Sequence, residues 1–124
     1  MQKILIADDE EDIRLIIRLA LEDKGYTVLA ASNGLEVLEK AGAEKIDLII
    51  LDAAMPKMDG YEACRRLKNN PSTKDIPVIF LTAIDMLMDK KKSYRLGAAA
   101  FIAKPFEINL LIEEIEGVLR NGKS

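Results

Sequence analysis

Five polar side chains stand directly after short apolar runs of the sequence, and together they could bind a cation and a phosphate. They are three carboxylates, one hydroxyl and one amine, namely Asp8, Asp9, Asp52, Thr82 and Lys104. Carboxylates that converge repel one another, which raises their pKa values unless a cation or a lysine offsets the charge. Mg²⁺ prefers oxygen ligands and keeps several waters, so it also accepts a phosphate oxygen. The set predicts a magnesium site that acts on a phosphoryl group.

The carboxylates have different expected roles. We expect Asp9 and Asp52 to bind the metal directly and Asp8 to act through water. The backbone carbonyl of Ala54 is a further candidate ligand, because a main-chain oxygen needs no particular side chain. A carboxylate can also attack phosphorus in line and form an aspartyl phosphate. Asp52 is the best candidate, because apolar residues before it hold its backbone and small residues after it leave room for a phosphoryl group.

The hydroxyl and the amine supply what a phosphoryl group needs. Thr82 offers a hydrogen-bond donor, and Lys104 offers a point charge to a phosphate oxygen or to the unmodified carboxylate. Pro105 follows the lysine, and a tight Lys-Pro turn, with a trans or a cis bond, would aim the amine. Taken singly, each polar residue is more often a turn, cap or strand-end residue. Their joint occurrence after four apolar runs favours a site.

The composition narrows the possible chemistry. The 124 residues include 18 Lys and Arg, 21 Asp and Glu and no histidine, for a formal charge of −3. The lack of histidine excludes His-ligated zinc and His-dependent nucleophilic catalysis. The small acidic excess argues against a protein that coats nucleic acid. Five acids fall within residues 8–12, and for the last three a solvated helix start is the favoured interpretation.

The length predicts one domain over residues 1–124, large enough to bury a core without disulfides or structural metal. The single cysteine, Cys64, cannot form an internal bridge and is expected to be a partly buried small hydrophobe. The amino terminus reaches carboxylates too soon for a signal-peptide core, and no apolar stretch approaches membrane-spanning length. We therefore expect a cytoplasmic protein without membrane contact.

Apolar runs alternate with segments of helical pattern along the chain. The runs suit strands buried on both faces, and they cover residues 4–7, 26–31, 46–51, 77–81 and 99–103. Helices are predicted around residues 13–24, 33–41, 60–69, 85–96 and 108–119, with Asp59 as the N-cap of the third and Gly25 as the stop of the first. The alternation predicts a doubly wound α/β sheet. Ligands of such sheets bind beyond the carboxyl ends of the strands, where the polar residues stand.

The first predicted helix has an apolar stripe with further apolar residues beside it. The stripe comprises Ile13, Ile16, Ile17, Ala20 and Leu21. Leu15 and Leu19 lie off the stripe and should be partly exposed beside the mouth of the site. We hypothesise that this pair docks against a helical partner. Lys90, Lys91 and Lys92 are expected to form a solvated helix face.

At these residues the sequence resembles the receiver domain of two-component response regulators, and it is similar to the single-domain chemotaxis and sporulation-relay members. The matching segments, in order, are Ile4–Glu10, Leu51–Gly60, Leu81–Ala83, Gly97–Ala98 and Lys104–Phe106. Each is weak alone, but the full order and spacing are highly specific and span essentially the whole chain. The resemblance implies a flavodoxin-like five-stranded parallel sheet, doubly wound (βα)5, with strand order 2-1-3-4-5. Met55-Pro56 and Asp59-Gly60 would fix the loop after Asp52.

The resemblance also implies a function. Asp52 would accept a phosphoryl group from a phosphohistidine of a sensor histidine kinase or a histidine phosphotransfer protein, which explains why this chain needs no histidine of its own. Mg²⁺ would be held by Asp8, Asp9, Asp52 and the Ala54 carbonyl. The chain would act as a switch that catalyses only its own phosphorylation and dephosphorylation. A downstream protein would read the fourth and fifth strand-helix face.

The resemblance implies two residues that bind the phosphoryl group and one whose side chain moves in response to it. Thr82 and Lys104 match the phosphoryl-binding hydroxyl and amine. Phe101 falls where the family keeps an aromatic ring that turns inward when the threonine moves. Because Phe101 has no hydroxyl, that switch would rest on packing alone. Ala54 and Ile84 occupy positions that tune phosphoryl lifetime, and both are apolar, so slow to moderate self-dephosphorylation is expected.

Three alternatives remain open at this point. The chain could be a receiver-like interaction module that acts without phosphorylation. A haloacid-dehalogenase-type phosphatase also uses an aspartate nucleophile, but it needs a second acid two residues later, where this chain has Ala54. A flavodoxin would hold flavin phosphate after the first strand, where the acids of residues 8–12 would repel it.

Overall fold

The structure is a computed structural model that describes residues 2–83, 95 and 97–121. Its strands are β1 (Lys3–Ala7), β2 (Thr27–Ala31), β3 (Leu48–Asp52), β4 (Val78–Ala83) and β5 (Ala100–Lys104). The helices of this part of the chain are α1 (Glu11–Asp23), α2 (Gly34–Ala43), α3 (Gly60–Lys68) and α4 (Ile108–Asn121). The helix predicted over residues 85–96, with its three lysines, falls almost entirely outside the described residues. Ile84 also lies outside them.

The five strands form one parallel sheet in the order β2-β1-β3-β4-β5, which confirms the predicted fold. Each strand begins one or two residues later than the apolar runs indicated, except β1, which begins one earlier. Three strands also continue into polar residues, because the backbone ladder does not depend on side-chain polarity. Asp52 pairs with Leu81, and Lys104 pairs with Ala83. The register therefore brings the carboxyl ends of β4 and β5 level, and β3 ends two positions before them.

The sheet has an apolar layer on each face, which explains its uninterrupted apolar runs. Successive side chains of a strand point to opposite faces. Leu5 packs in one layer with residues of α2 and α3, and Ile4 and Ile6 pack in the other with residues of α1 and α4. All three are fully buried. Cys64 of α3 is also fully buried, so the prediction of partial burial was wrong; it lies in the middle of the face that α3 presents to the sheet.

Helix α1 differs from the predicted stripe at one position. Ile17 and Leu21 are buried as expected, but Ile16 is 51% exposed. The stripe that contacts the sheet is narrower than the sequence pattern, and Ile16 lies on its outer edge. Ile16 joins Leu15 and Leu19, which are 52% and 58% exposed as predicted. The three form an exposed apolar patch on α1, here called the α1 patch.

The helix ends follow the sequence signals. Gly25 has a φ of +95° just after α1, a left-handed conformation that glycine adopts without a steric penalty. The side chain of Asp59 caps α3 by accepting a hydrogen bond from the Glu62 backbone N at 2.9 Å. No helix within the described residues has the length and apolar character needed to cross a membrane.

Candidate metal and phosphoryl site

Asp8 follows the last residue of β1 and is fully buried. Its Oδ1 accepts a hydrogen bond from the Glu10 backbone N at 2.8 Å. Its Oδ2 lies 2.7 Å from the Nζ of Lys104. Both carboxylate oxygens are thus engaged by the chain itself, an arrangement that favours a metal contact through water.

Asp52 is the last residue of β3 and is buried. Its Oδ1 accepts a hydrogen bond from the Ala54 backbone N at 3.2 Å. Its Oδ2 lies 3.1 Å from Lys104 Nζ. The amine thus bridges the carboxylates of Asp8 and Asp52 across the carboxyl ends of β1, β3 and β5.

Burial and neighbouring charge shift the pKa values of these groups. Burial raises the pKa of Asp52 to about 6, the nearby Asp8 carboxylate adds to the rise, and Lys104 opposes it. Burial also raises the pKa of Asp8, with Lys104 opposing. Burial works against the charged amine of Lys104, but Asp8 and Asp52 outweigh it and hold its pKa above the ordinary value. The carboxylates of Asp8 and Asp52 share the one positive charge of the Lys104 amine, which leaves negative charge for a metal cation.

Asp9 and Glu10 complete an acidic mouth above these buried groups. Carboxylate oxygens of Asp8, Asp9 and Glu10 lie within 4.8 Å of one another. Asp9 is exposed and lines a cavity of about 520 Å³ together with Ala54 and neighbours from the loop after β3. Glu10 also lies 3.5 Å from Lys104 Nζ. Sequence reasoning gave Glu10 no role beyond a helix start, although its position directly after two acids was an available signal.

Thr82 occupies the next-to-last position of β4 and is fully buried. Its Oγ1 has no hydrogen-bond partner in the described part of the chain. A buried hydroxyl without a partner costs about 1–3 kcal/mol, so this atom fits a ligand oxygen. The carboxylates and carbonyls nearby are hard oxygen donors, which fits Mg²⁺. The residues present therefore suit both the metal and the phosphoryl group.

Three aromatic rings lie in series near this site, and Tyr61 at one end of the series lines the same cavity as Asp9. The ring centroids of Phe101 and Phe80 are 6.3 Å apart, and those of Phe80 and Tyr61 are 5.4 Å apart. Phe101 is half-buried on β5. The peptide bond between Lys104 and Pro105 is cis, one of the two forms that the sequence allowed.

The family model described as "Response regulator receiver domain" matches residues 4–116 of this chain. The chain belongs to the response regulator receiver family. This confirms the predicted resemblance: the protein is a receiver domain of two-component response regulators, a family that carries phosphorylation-dependent signals.

Relatives with known names or structures agree with this assignment. The receiver domain is 40% identical, over 98% of its length, to the alkaline phosphatase synthesis transcriptional regulatory protein PhoP of Bacillus subtilis, of which it covers 50%. It thus spans about half the length of the curated relatives it matches. The chemotaxis response regulator CheY4 of Vibrio cholerae superimposes with a TM-score of 0.89 at 33% identity, covering 95% of this chain and 98% of that one.

A third relative was solved with a metal. The receiver domain of the sensor histidine kinase PA1611 of Pseudomonas aeruginosa has a magnesium ion coordinated in its active-site cleft. It superimposes with a TM-score of 0.87 at 27% identity, covering 96% of this chain and 98% of that one.

Proposed function

We propose that residues 1–124 form a single receiver domain in which Asp52 accepts a phosphoryl group from a phosphohistidine, with the help of Mg²⁺. The donor is a sensor histidine kinase or a histidine phosphotransfer protein. The observation that carries the proposal is the placement of Lys104 Nζ, 3.1 Å from Asp52 and 2.7 Å from Asp8. A lysine held between two buried acids at the strand ends is positioned to neutralise added negative charge.

The transfer step conserves bonds and charge. An oxygen of the ionised Asp52 carboxylate attacks phosphorus in line while the P–N bond of the phosphohistidine breaks. The electron pair of that bond goes to the imidazole nitrogen, and the product on this chain is an acyl phosphate. The Ala54 N–H and Lys104 Nζ hold the two Asp52 oxygens before the attack. The chain thereby catalyses only its own phosphorylation and, later, the hydrolysis of its acyl phosphate.

Mg²⁺, when bound, supplies positive charge that offsets the phosphoryl oxygens. Asp9, Asp52 and the carbonyl of Ala54 would hold it directly, and Asp8 would do so through water. Thr82 Oγ1 and Lys104 Nζ would bind phosphoryl oxygens once the group is in place. Movement of the Thr82 hydroxyl toward that group opens space next to β5, into which Phe101 would turn. A downstream protein would then bind the face formed by the fourth and fifth strand-helix units. The proposed location is the cytoplasm, and this chain would not contact nucleic acid or membrane directly.

The direct test is phosphorylation with a small donor. Incubation with Mg²⁺ and an acyl phosphate, followed by intact mass measurement, is expected to give one phosphoryl adduct. No adduct would instead favour the receiver-like interaction module that acts without phosphorylation. The family match makes the phosphatase and flavodoxin alternatives unnecessary.

The affinity for Mg²⁺ is expected to fall as the pH drops through about 6. Metal binding needs ionised carboxylates, and burial raises the pKa of Asp52 to about 6, with Asp8 adding to the rise. Lowering the pH from about 7.5 to about 5 should protonate most Asp52 carboxylates and weaken binding by about tenfold. Calorimetric titrations with Mg²⁺ across this range check the expectation. An affinity that stayed constant down to about pH 5 would contradict it.

The α1 patch is the proposed docking surface for the helical bundle that carries the donor histidine. Changing Leu15 and Leu19 together to Ser is expected to slow phosphotransfer from the cognate partner about tenfold or more, because apolar contact area is lost. Labelling by a small acyl phosphate should not change. The matched control changes Leu35 and Leu110 to Ser, since these leucines are similarly exposed but lie on α2 and α4. An unchanged transfer rate in the first double variant would refute the docking role.

A further inference from the structure

Arg14 lies in the first turns of α1, and its guanidinium reaches back to the loop that carries the acids. Its Nη1 donates a hydrogen bond to the backbone carbonyl of Asp8 at 2.6 Å. That carbonyl belongs to the planar peptide unit that joins Asp8 to Asp9. The contact therefore fixes the peptide plane that leads into Asp9.

Within the described residues, no polar contact restrains the Asp9 side chain itself. It is exposed, and within residues 2–83, 95 and 97–121 it makes no hydrogen bond or ion pair. Asp8, in contrast, is held by the Ala31 carbonyl at its backbone N and by Glu10 and Lys104 at its carboxylate. The point from which the Asp9 side chain extends thus depends on the backbone next to it, and Arg14 fixes one side of that backbone.

We propose that Arg14 is a positioning residue that sets the metal-binding geometry of Asp9 through the Asp8 carbonyl. The inference rests on the proposed function, because Asp9 is a metal ligand only within it. Hydrogen bonds from a charged donor are short and strong, and residues that orient a metal ligand often change metal affinity by about 10–100-fold when they are replaced. Lysine can supply the charge and an ammonium donor, but not the planar geometry of the guanidinium.

The charge and the hydrogen bond of Arg14 have opposite effects on a bound cation. A positive charge near the metal site repels the metal, so removing the charge alone tightens metal binding. Losing the hydrogen bond frees the Asp8–Asp9 peptide unit, so Asp9 must be ordered when the metal binds, and binding weakens. The sign of the change in affinity therefore separates positioning from simple electrostatics.

The experiment uses Mn²⁺ as the probe, because it accepts the same oxygen ligands and its paramagnetic resonance signal reports the free ion. Arg14→Met is expected to weaken Mn²⁺ binding about tenfold, and Arg14→Lys to recover part of the loss. The matched control is Arg18→Met, which removes the same charge one turn further along α1, where Arg18 pairs with Glu22 at 3.2 Å on the exposed surface. Its affinity should stay within about twofold of the parent protein. Circular dichroism verifies folding, and Arg14→Leu, which also lacks a donor, gives the same comparison if Arg14→Met does not fold.

Several outcomes would overturn the proposal. If Arg14→Met binds Mn²⁺ as tightly as the parent protein or more tightly, the positioning role of Arg14 is refuted but the metal site is not. The same conclusion follows if Arg18→Met weakens Mn²⁺ binding as much as Arg14→Met does. A parent protein that binds no Mn²⁺ refutes the proposed metal site itself, and the role of Arg14 falls with it. A weakened Arg14→Met beside an unchanged Arg18→Met supports the inference, because a general loss of stability or of charge does not predict that pattern.

Discussion

Asp52→Asn is expected to abolish phosphorylation by a small acyl phosphate, with labelling at least about 100-fold below that of the parent protein. An amide nitrogen or oxygen cannot replace the carboxylate as nucleophile, and the variant also loses one ionised metal ligand. Intact mass measurement after incubation with Mg²⁺ and the donor reads the result directly. The matched control is Asp23→Asn, an exposed acid at the end of α1, which should label as the parent does. Retained labelling in Asp52→Asn would place the phosphoryl group on another residue.

The same variant is expected to be at least as stable as the parent protein, which separates lost chemistry from lost folding. Because the pKa of Asp52 is raised to about 6 by burial and by Asp8, the folded state favours its protonated form. Its stabilising contribution is therefore present at low pH and is lost as the pH rises through about 6. Asparagine never ionises, so without metal the variant should melt a few degrees higher at about pH 7.5. The difference should shrink at about pH 5, and a variant that melts lower at both pH values would contradict this explanation.

The sheet and the positions of the polar residues could be predicted because they depend on local patterns. A buried parallel strand needs a continuous apolar run, so β1 and β3 are visible in the sequence, and the rule for ligand sites selects the residues that follow them. Asp52, Thr82 and Lys104 accordingly lie within two register positions of one another at the same edge of the sheet. The roles assigned to these residues remain predictions until the experiments above are done.

The contacts inside the site could not be predicted, because they depend on side chains that meet from distant parts of the chain. Lys104 lies 94 positions from Glu10 in sequence, yet its amine is 3.5 Å from that carboxylate. Nothing in the local pattern shows that both oxygens of Asp8 are engaged, or that Arg14 reaches the Asp8 carbonyl. The exposure of Ile16 was missed for a related reason. A helical repeat gives the direction of the apolar face, but only the packed neighbours determine how wide that face is.

The loop after Asp52 approaches α3 so closely that only glycine fits at its end. The backbone N of Gly60 donates to the Ala53 carbonyl at 2.9 Å. A Cβ at position 60 would lie about 2.1 Å from the Asp52 carbonyl oxygen. The obstructing atom belongs to the backbone of Asp52, the proposed phosphoacceptor, so it cannot move aside as the end of a flexible side chain can.

Gly60→Ala is therefore expected to destabilise the receiver domain by about 3 kcal/mol or more, seen as a melting temperature about 10 °C lower. The fraction that stays folded should also be phosphorylated more slowly, because any movement that relieves the clash displaces Asp52 from Lys104. The matched control is Gly117→Ala in the interior of α4, where a Cβ would meet nothing within 4 Å and alanine favours the helix by up to about 1 kcal/mol. Gly60→Ala should thus lower the melting temperature, whereas Gly117→Ala should raise it slightly. Equal effects at the two positions would mean that the tight approach of Gly60 to Asp52 does not hold Asp52 in place.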